Sequence, residues 1–379
     1  MPGYEFIDHE EKAALNELFD EGAVLFAHGF QNQRKKFHVR EFEAAASQYF
    51  GSKYALAVSS GTAAIKVALK GLGIKNGDEV ITQAHNFVAT IEAIVDCGAK
   101  PIIANVDETL NICAKDLEKR ITKSTKAIIV VHMLGIPADL EAIMPVAKKH
   151  GIPVVEDNCE AIGSKINGNY CGTITDIGVM SFDHGKMMTT GEGGMIFTNN
   201  YEIDKICREY HDHGHENNPD LPRGRDTRTK PGFNYRMTEM QAVIGKVQLN
   251  KLNRMIIENK KRYDILFEVL SQKFKVRPCA TLATGNMDTF ILTELTKTQV
   301  NKLLGICEEN KFGTKNIPDA MEWHCAYFWD HMLLKSEAEY ALPTKEALMT
   351  SIAVPISFGK TLKDYETLAN AIKTKLAEK

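Results

Sequence analysis

Long apolar runs, paired cysteines and a surplus of charge of either sign are all missing from this 379-residue chain. No uninterrupted apolar stretch reaches the eighteen or so residues of a membrane helix, so no span is expected. The eight cysteines, at 97, 113, 159, 171, 207, 279, 307 and 325, include no Cys-x-x-Cys pair. That argues against a disulfide frame or a zinc site; reduced, mostly buried thiols and no metal are expected. Lys and Arg number 46 against 49 Asp and Glu, a net charge of -3. With no basic stripe, neither nucleic acid nor an anionic membrane is an expected partner. Residues 1–12 are charged where a secretion signal would be apolar, which gives an expectation of the cytoplasm. Gly-x-Gly-x-x-Gly does not follow the first apolar run, which weighs against a nicotinamide dehydrogenase.

What is present is ordinary globular material, 44% hydrophobic and 25% charged, long enough for one large core and a smaller one. Residues 1–50 carry helical periodicity (Leu15, Leu18, Phe19, then Phe42, Ala45, Tyr49). From Tyr54 short apolar runs alternate with amphipathic stretches. Strands are expected at Ala55 to Val58, Glu79 to Thr82, Pro101 to Ala104, Ala127 to Val131 and Pro153 to Glu156, with helices at Ala63 to Leu72, Phe87 to Cys97, Ala114 to Ile121 and Leu140 to Lys149. This rhythm predicts an α/β fold, a doubly wound, mostly parallel sheet with helices on both faces. After a helix at Glu202 to Tyr210, the polar segment from His213 to Gly232 reads as a functional loop or as disorder. A helix from Thr238 to about Leu270, with a possible break near Asn253, leads to a smaller C-terminal α/β domain. The expected division is 1–250 and 251–379.

The stretch Ser181 to Met195 sets Lys186 between two apolar runs, Ile177 to Met180 and Met195 to Phe197. A desolvated lysine loses its proton more readily and becomes an amine nucleophile toward aldehydes. A solvated loop lysine is the plainer reading of one cation among 46. Four other places bear on the choice. Ser60, Gly61 and Thr62 follow a strand and open a helix, whose unpaired amides make a phosphate seat or simply a Ser/Thr cap. Asp157, beside Glu156 at a strand's C-terminal end, could partner a protonated ring nitrogen or cap a helix. Phe87 could stack on a flat ring or fill core. Asn234 and Arg236 stand before the long helix, where an arginine fork suits phosphate or carboxylate; Thr238 and Gln241 form a capping box there as well. A phosphate seat, stacking ring, strand-end carboxylate and buried lysine, in that order, are together what pyridoxal 5'-phosphate requires.

The ordered motifs Ser60-Gly61-Thr62-Ala63-Ala64, Phe87-Val88-Ala89-Thr90, Glu156-Asp157-x-x-Glu160-Ala161, Ser181-Phe182-x-x-x-Lys186, Gly191-Glu192-Gly193-Gly194 and Gly232-x-Asn234-x-Arg236-x-x-Glu239-x-Gln241 resemble those of the DegT/DnrJ sugar aminotransferases, which have the aspartate aminotransferase type of fold. The likeness covers nearly the whole chain. It implies Lys186 as the Schiff-base lysine, Asp157 as the ring-nitrogen partner and Phe87 as the stacking residue, with Ser60, Gly61, Thr62 and Ser181 around the phosphate. It implies a homodimer with shared active sites, Asn234 reaching the neighbour's cofactor, Arg236 and His213 on the substrate side, and L-glutamate as amino donor. Where the family usually has glutamine near the cofactor's phenolic oxygen, this chain has Glu160. An ionised carboxylate there would repel a phenolate, so Glu160 is either protonated or differently employed. Asp107 to Leu110, Val131 to Met133, Ser181 to Asp183 and Asp212 to His215 are similar to members that make 8-amino-3,8-dideoxyoctulosonate of bacterial lipopolysaccharide, which implies an 8-keto sugar acid as acceptor. A nucleotide-linked 4-keto-6-deoxy sugar is the alternative, with a keto-phosphate third. A dehydratase with histidine at the lysine position would need His184 in register, and a non-enzymatic cofactor-binding regulator would be expected to carry a basic surface.

Overall fold

In a computed structural model, which describes residues 2–218 and 220–376, the expected alternation becomes a seven-stranded sheet clothed in helices. The lead-in is α1 (Pro2–Glu5), α2 (His9–Asp20) and α3 (His38–Phe50). Asp8 and Glu11 form a capping box on α2, and α3 ends where Gly51 turns left-handed at φ 81°. Strand and helix then alternate: β1 (Tyr54–Val58), α4 (Gly61–Gly71), β2 (Glu79–Gln83), α5 (Ala89–Asp96), β3 (Lys100–Ala104), α6 (Ala114–Arg120), β4 (Thr125–Val131), α7 (Leu140–His150) and β5 (Val154–Asp157). A short hairpin, β6 (Lys165–Ile166) and β7 (Asn169–Tyr170), precedes β8 (Ile177–Ser181) and β9 (Gly194–Thr198). Two-residue strands carry no period, which is why the hairpin is not legible in the sequence.

The sheet order is β1-β9-β8-β5-β4-β2-β3. Only β9 runs against its neighbours β1 and β8, so the sheet is mostly parallel. Its strands are buried almost end to end because helices cover both faces, which explains their unbroken apolar runs. The chain leaves β1 at one side of the sheet and re-enters at β2 on the other. The C-terminal ends of β2, β4, β5 and β8, with the start of α4, therefore surround one crevice.

After α8 (Tyr201–His211) the polar segment is bonded into place. The Asp226 carboxylate accepts the amides of Asn217 (2.8 Å) and Asn218 (3.1 Å), and Arg223 grips Asp212. The next helix, α9 (Glu239–Leu270), starts on the expected Thr238–Gln241 capping box. It runs 32 residues without the break expected near Asn253. The amide of Asn253 finds a partner outside the backbone, accepting from Tyr49 Oη at 2.8 Å.

Beyond α9, which passes unbroken through residue 250, β10 (Lys275–Val276), β12 (Thr289–Thr293) and β13 (Ile352–Pro355) form a small antiparallel sheet, while β11 (Ala283–Thr284) pairs with β6. With α10 (Lys297–Glu309) and α14 (Leu362–Lys375) this sheet encloses its own core, including Leu303, Phe290, Tyr365 and Leu368. The short helices α11 (Met321–His324), α12 (Lys335–Tyr340) and α13 (Leu342–Met349) pack back on the large sheet's core. Arg277, wholly buried, ties the two cores, donating to Met133 O (2.9 Å), Asn111 Oδ1 (3.2 Å) and Thr109 O. Among the described residues no helix is long and apolar enough to cross a membrane.

Candidate active site

Loops leaving the C-terminal strand ends line a single cavity of about 420 Å³. Ser60, Gly61 and Thr62 enter it from the start of α4, Phe87 and Thr90 from the turn after β2, Asp157 and Glu160 from β5, and Ser181 and Lys186 from β8. All eight cofactor-contact candidates on these loops thus meet in one place although they are spread over 127 residues of chain from Ser60 to Lys186.

At the helix start, Ser60 caps α4 by accepting from Ala63 N at 3.1 Å, so the plain cap and the phosphate seat coexist. The first intrahelical bond is Ala64 N to Ser60 O, at 3.0 Å. The amides of Gly61 and Thr62 precede it, in the turn where the helix dipole favours an anion. Gly61 is needed for closeness: a Cβ there would lie 2.7 Å from Ser181 Cβ.

Asp157 is buried at the floor, with Cys159 N donating to Oδ1 (3.1 Å) and the Thr90 hydroxyl 3.2 Å from Oδ2. Burial raises its carboxyl above the ordinary range, and those hydrogen bonds together with Lys186 only partly offset it. Such a group gains by acquiring a cationic partner. Phe87 is 41% exposed over this floor, its ring 5.4 Å from that of His324.

Lys186 Nζ donates to Glu160 Oε1 in a close ion pair. Burial pulls the ammonium down, but the Glu160 carboxylate outweighs it and holds Lys186 above its usual range. The free-amine lysine expected from desolvation alone is therefore replaced by a paired ammonium. Burial likewise pushes Glu160 up, yet Lys186 and Lys315 together bring it down to about 2. Glu160 is thus paired with Lys186 and stands 3.7 Å from Lys315, an employment as a partner of cations.

Three candidates fall outside this cavity of their own chain. Arg236 donates to Asp212 Oδ1 at 2.6 Å, drawn there with Arg223 by a carboxylate that is fully buried. It lines a second cavity, of about 610 Å³, with His28, Arg40 and Arg223. Asn234 pairs with Asp212 across an isolated bridge, and His213 is exposed in a left-handed turn at φ 54°. His184, the register rival of Lys186, does not line the cofactor cavity but stacks on Tyr4 with centroids 4.7 Å apart.

Sequence reasoning missed Lys315, Asn316 and the placement of His324, all of which reach the cavity from the C-terminal elements. No motif marks Lys315; the one signal that could have found it is the need of a buried Glu160 for a counter-charge. The buried trio His132, Glu156 and Cys171 has metal-ligand types within 4.8 Å. Its lone pairs are spent on protein donors, however. Ala138 N donates to His132 Nδ1, and Glu156 accepts from His132 Nε2 and the amides of Gly172, Ile174 and Thr175. The trio braces the loops beneath the floor.

A doubly wound sheet whose strand-end crevice gathers an anion seat, a cation-seeking carboxylate, an exposed ring and a reachable lysine defines a pyridoxal-phosphate-dependent transferase of the aspartate aminotransferase type. The close approach of Gly61 to Ser181 and the buried, proton-attracting Asp157 fit that cofactor's phosphate and ring nitrogen. The chain belongs to the DegT/DnrJ/EryC1/StrS aminotransferase family, whose model matches residues 8–373, and its cofactor is pyridoxal 5'-phosphate. It is 35% identical over 259 residues to the GDP-perosamine synthase of Vibrio cholerae, covering 68% of this chain and 67% of that one. An aminotransferase structure from Psychrobacter cryohalolentis superposes with a TM-score of 0.85 at 26% identity, covering 97% and 96% of the two chains. A GDP-4-keto-6-deoxymannose-3-dehydratase with bound GDP-perosamine gives 0.82 at 25%, covering 97% and 98%.

Proposed function

We propose that this aminotransferase moves an amino group from L-glutamate to the ketone of a nucleotide-linked 4-keto-6-deoxy sugar, in the cytoplasm and for a surface polysaccharide. The observation that carries amino transfer is Lys186 facing the same cavity as Asp157, with the anion seat of α4 beside them. The nucleotide-linked acceptor is supported by the relatives named as GDP-perosamine synthases.

When bound, pyridoxal phosphate supplies an aldehyde for an amine and a protonated ring that draws electrons from the reacting carbon. Lys186 would supply the amine that holds the cofactor's aldehyde and, as a free amine, a base that moves a proton at the reacting carbon. Glu160 holds and orients the Lys186 side chain. Asp157 would hold a proton-bearing ring nitrogen, Gly61, Thr62 and Ser181 would hold the phosphate, and Phe87 would cover the ring. Asn316 Nδ2, buried without a partner among the described residues, leaves a donor for a substrate oxygen. Asn234, Arg236 and His213 lie outside their own cavity, Arg236 held by Asp212, and in a homodimer they would border a neighbour's site.

The reading first expected from the sequence, an 8-keto sugar acid without nucleotide, rests only on the resemblance of short runs such as Asp212-His213-Gly214-His215, and the relatives named as GDP-perosamine synthases support the nucleotide-linked sugar over it. Asp212 there anchors Arg223 and Arg236, and arginine forks suit a carboxylate as well as a pyrophosphate. Both readings are tested by mixing enzyme with glutamate and each acceptor and following 2-oxoglutarate and product by mass spectrometry. Amination of the nucleotide-linked ketone alone supports the proposed reading. Amination of the sugar acid alone overturns it. A deoxygenated, amine-free product formed together with ammonia and 2-oxoglutarate, glutamate supplying the two electrons, would point to a dehydratase, a reading that the position of His184 outside the cavity opposes.

A further inference from the structure

The cavity holds a second lysine that the amino-transfer chemistry does not use. Lys315 is 8% exposed and follows α10 in the small domain, where its backbone is stitched to β13 through Lys315 N to Ala353 O at 2.9 Å. Its Nζ donates to Asp288 Oδ2 at 2.9 Å and stands 3.7 Å from Glu160 Oε2. That oxygen is buried and has no hydrogen-bond partner among the described residues. The other oxygen of Glu160 is taken by Lys186. Two ammonium groups and two carboxylates thus form one buried chain, Lys186, Glu160, Lys315, Asp288, with Asp157, Cys159, Asp183, Glu192 and His324 as the other titratable groups lining the cavity.

This arrangement would fail with Glu160 relying on Lys186 alone. When Lys186 is committed to the cofactor it is no longer a free ammonium for Glu160, and a buried carboxylate stripped of its partner is strongly unfavourable. We propose that Glu160 exchanges cations: Lys186 holds it in the cofactor-free chain, and Lys315 becomes its counter-ion when Lys186 engages the cofactor. Lys315 is then a positioning residue. It keeps Glu160 paired and the Lys186 side chain directed, and the tie it already makes between the small domain and the cofactor site tightens in the loaded enzyme. The inference rests on reading Lys186 as the cofactor lysine.

The test is equilibrium binding of pyridoxal phosphate to cofactor-free enzyme, followed by visible absorbance. Lys315→Met is expected to weaken binding at least tenfold, because loading leaves Glu160 without a cation. Lys315→Arg should stay within about threefold. Introduced into Glu160→Gln, which leaves no carboxylate to lose its cation, Lys315→Met should cost less than about threefold, and the double variant should bind more tightly than Lys315→Met alone. The cofactor-free thermal midpoints of Lys315→Met and wild type should differ by less than the loaded ones. If the single variant does not fold, a double variant that folds and binds still supports the exchange, and one that does not fold overturns it. Unchanged binding in Lys315→Met, or a double variant as weak as the single, also overturns it, since Lys315 would then serve Asp288 alone. The underlying reading fails separately: borohydride reduction of loaded wild-type enzyme followed by peptide mapping must place the cofactor on Lys186.

Discussion

At the scale of single residues, the chemistry of this cavity is set by who neutralises whom. Lys186 is the one side chain whose loss should abolish amino transfer outright: Lys186→Ala is expected to release no 2-oxoglutarate from glutamate and to show no covalent cofactor absorbance, and a variant keeping either would remove Lys186 from its role. Asp157→Asn makes a sharper test because size is conserved. The asparagine keeps an oxygen for Cys159 N but cannot hold a cationic ring, so kcat should fall by roughly 100-fold or more, in the range general acid–base groups contribute. The thermal midpoint of cofactor-free protein should not fall, since the change removes a carboxylate that burial already disfavours. Of these residues, Lys186, Asp157, Phe87 and the Ser60 to Thr62 run were legible as a set because each sits next to a strand end that the apolar runs disclose. Lys315 was not. Its place depends on the small domain folding back over the crevice, and nothing within several residues of it in sequence hints at Glu160.

At the scale of elements, the start of α4 is where geometry is tightest. Gly61→Ala would set a methyl 2.7 Å from Ser181 Cβ and 2.9 Å from its Oγ. One of the two must move, displacing either the helix amides or the Ser181 hydroxyl from the phosphate. Cofactor affinity should fall at least tenfold by absorbance titration while the far-ultraviolet circular dichroism of the cofactor-free protein is unchanged; unaltered affinity would dissociate α4 from the phosphate. The other instructive element is α9. A break was expected near Asn253, yet the helix is continuous, with Leu249, Leu252 and Met255 buried on either side of it and the Asn253 side chain accepting from Tyr49 of α3. Local sequence could announce the conflict but not its resolution.

For the whole molecule, acid sensitivity follows from histidines kept neutral. Burial draws His28 and His85 down to about 3 and His211 to about 4, from an ordinary 6.5. Each contributes stability that is fully present above pH 6.5, where the unfolded chain is also neutral. It is lost progressively as pH falls from 6.5 toward 4 and 3, because the unfolded chain takes up protons that the fold refuses. Each such histidine steepens the slope by about 1.4 kcal/mol per pH unit in that window. The denaturation midpoint should therefore begin to fall just below pH 6.5, well before carboxylates titrate, and His85→Asn should flatten the decline; a midpoint constant from pH 7.5 to 5 would contradict the burial of these rings.

The amino-acid sequence by itself determined the alternation of strands and helices, the mostly parallel sheet and the crevice at its C-terminal edge. Apolar periodicity and helix caps are local properties, and the handedness of strand-helix-strand units leaves few ways to assemble them. It also singled out Lys186 and Asp157, which the fold brings to one cavity. Only the tertiary structure decided the ionisation of Glu160, the pairing of Arg236 with Asp212 and the arrival of Lys315. Charge state depends on burial and on partners within a few ångströms, and those partners lie far away along the chain.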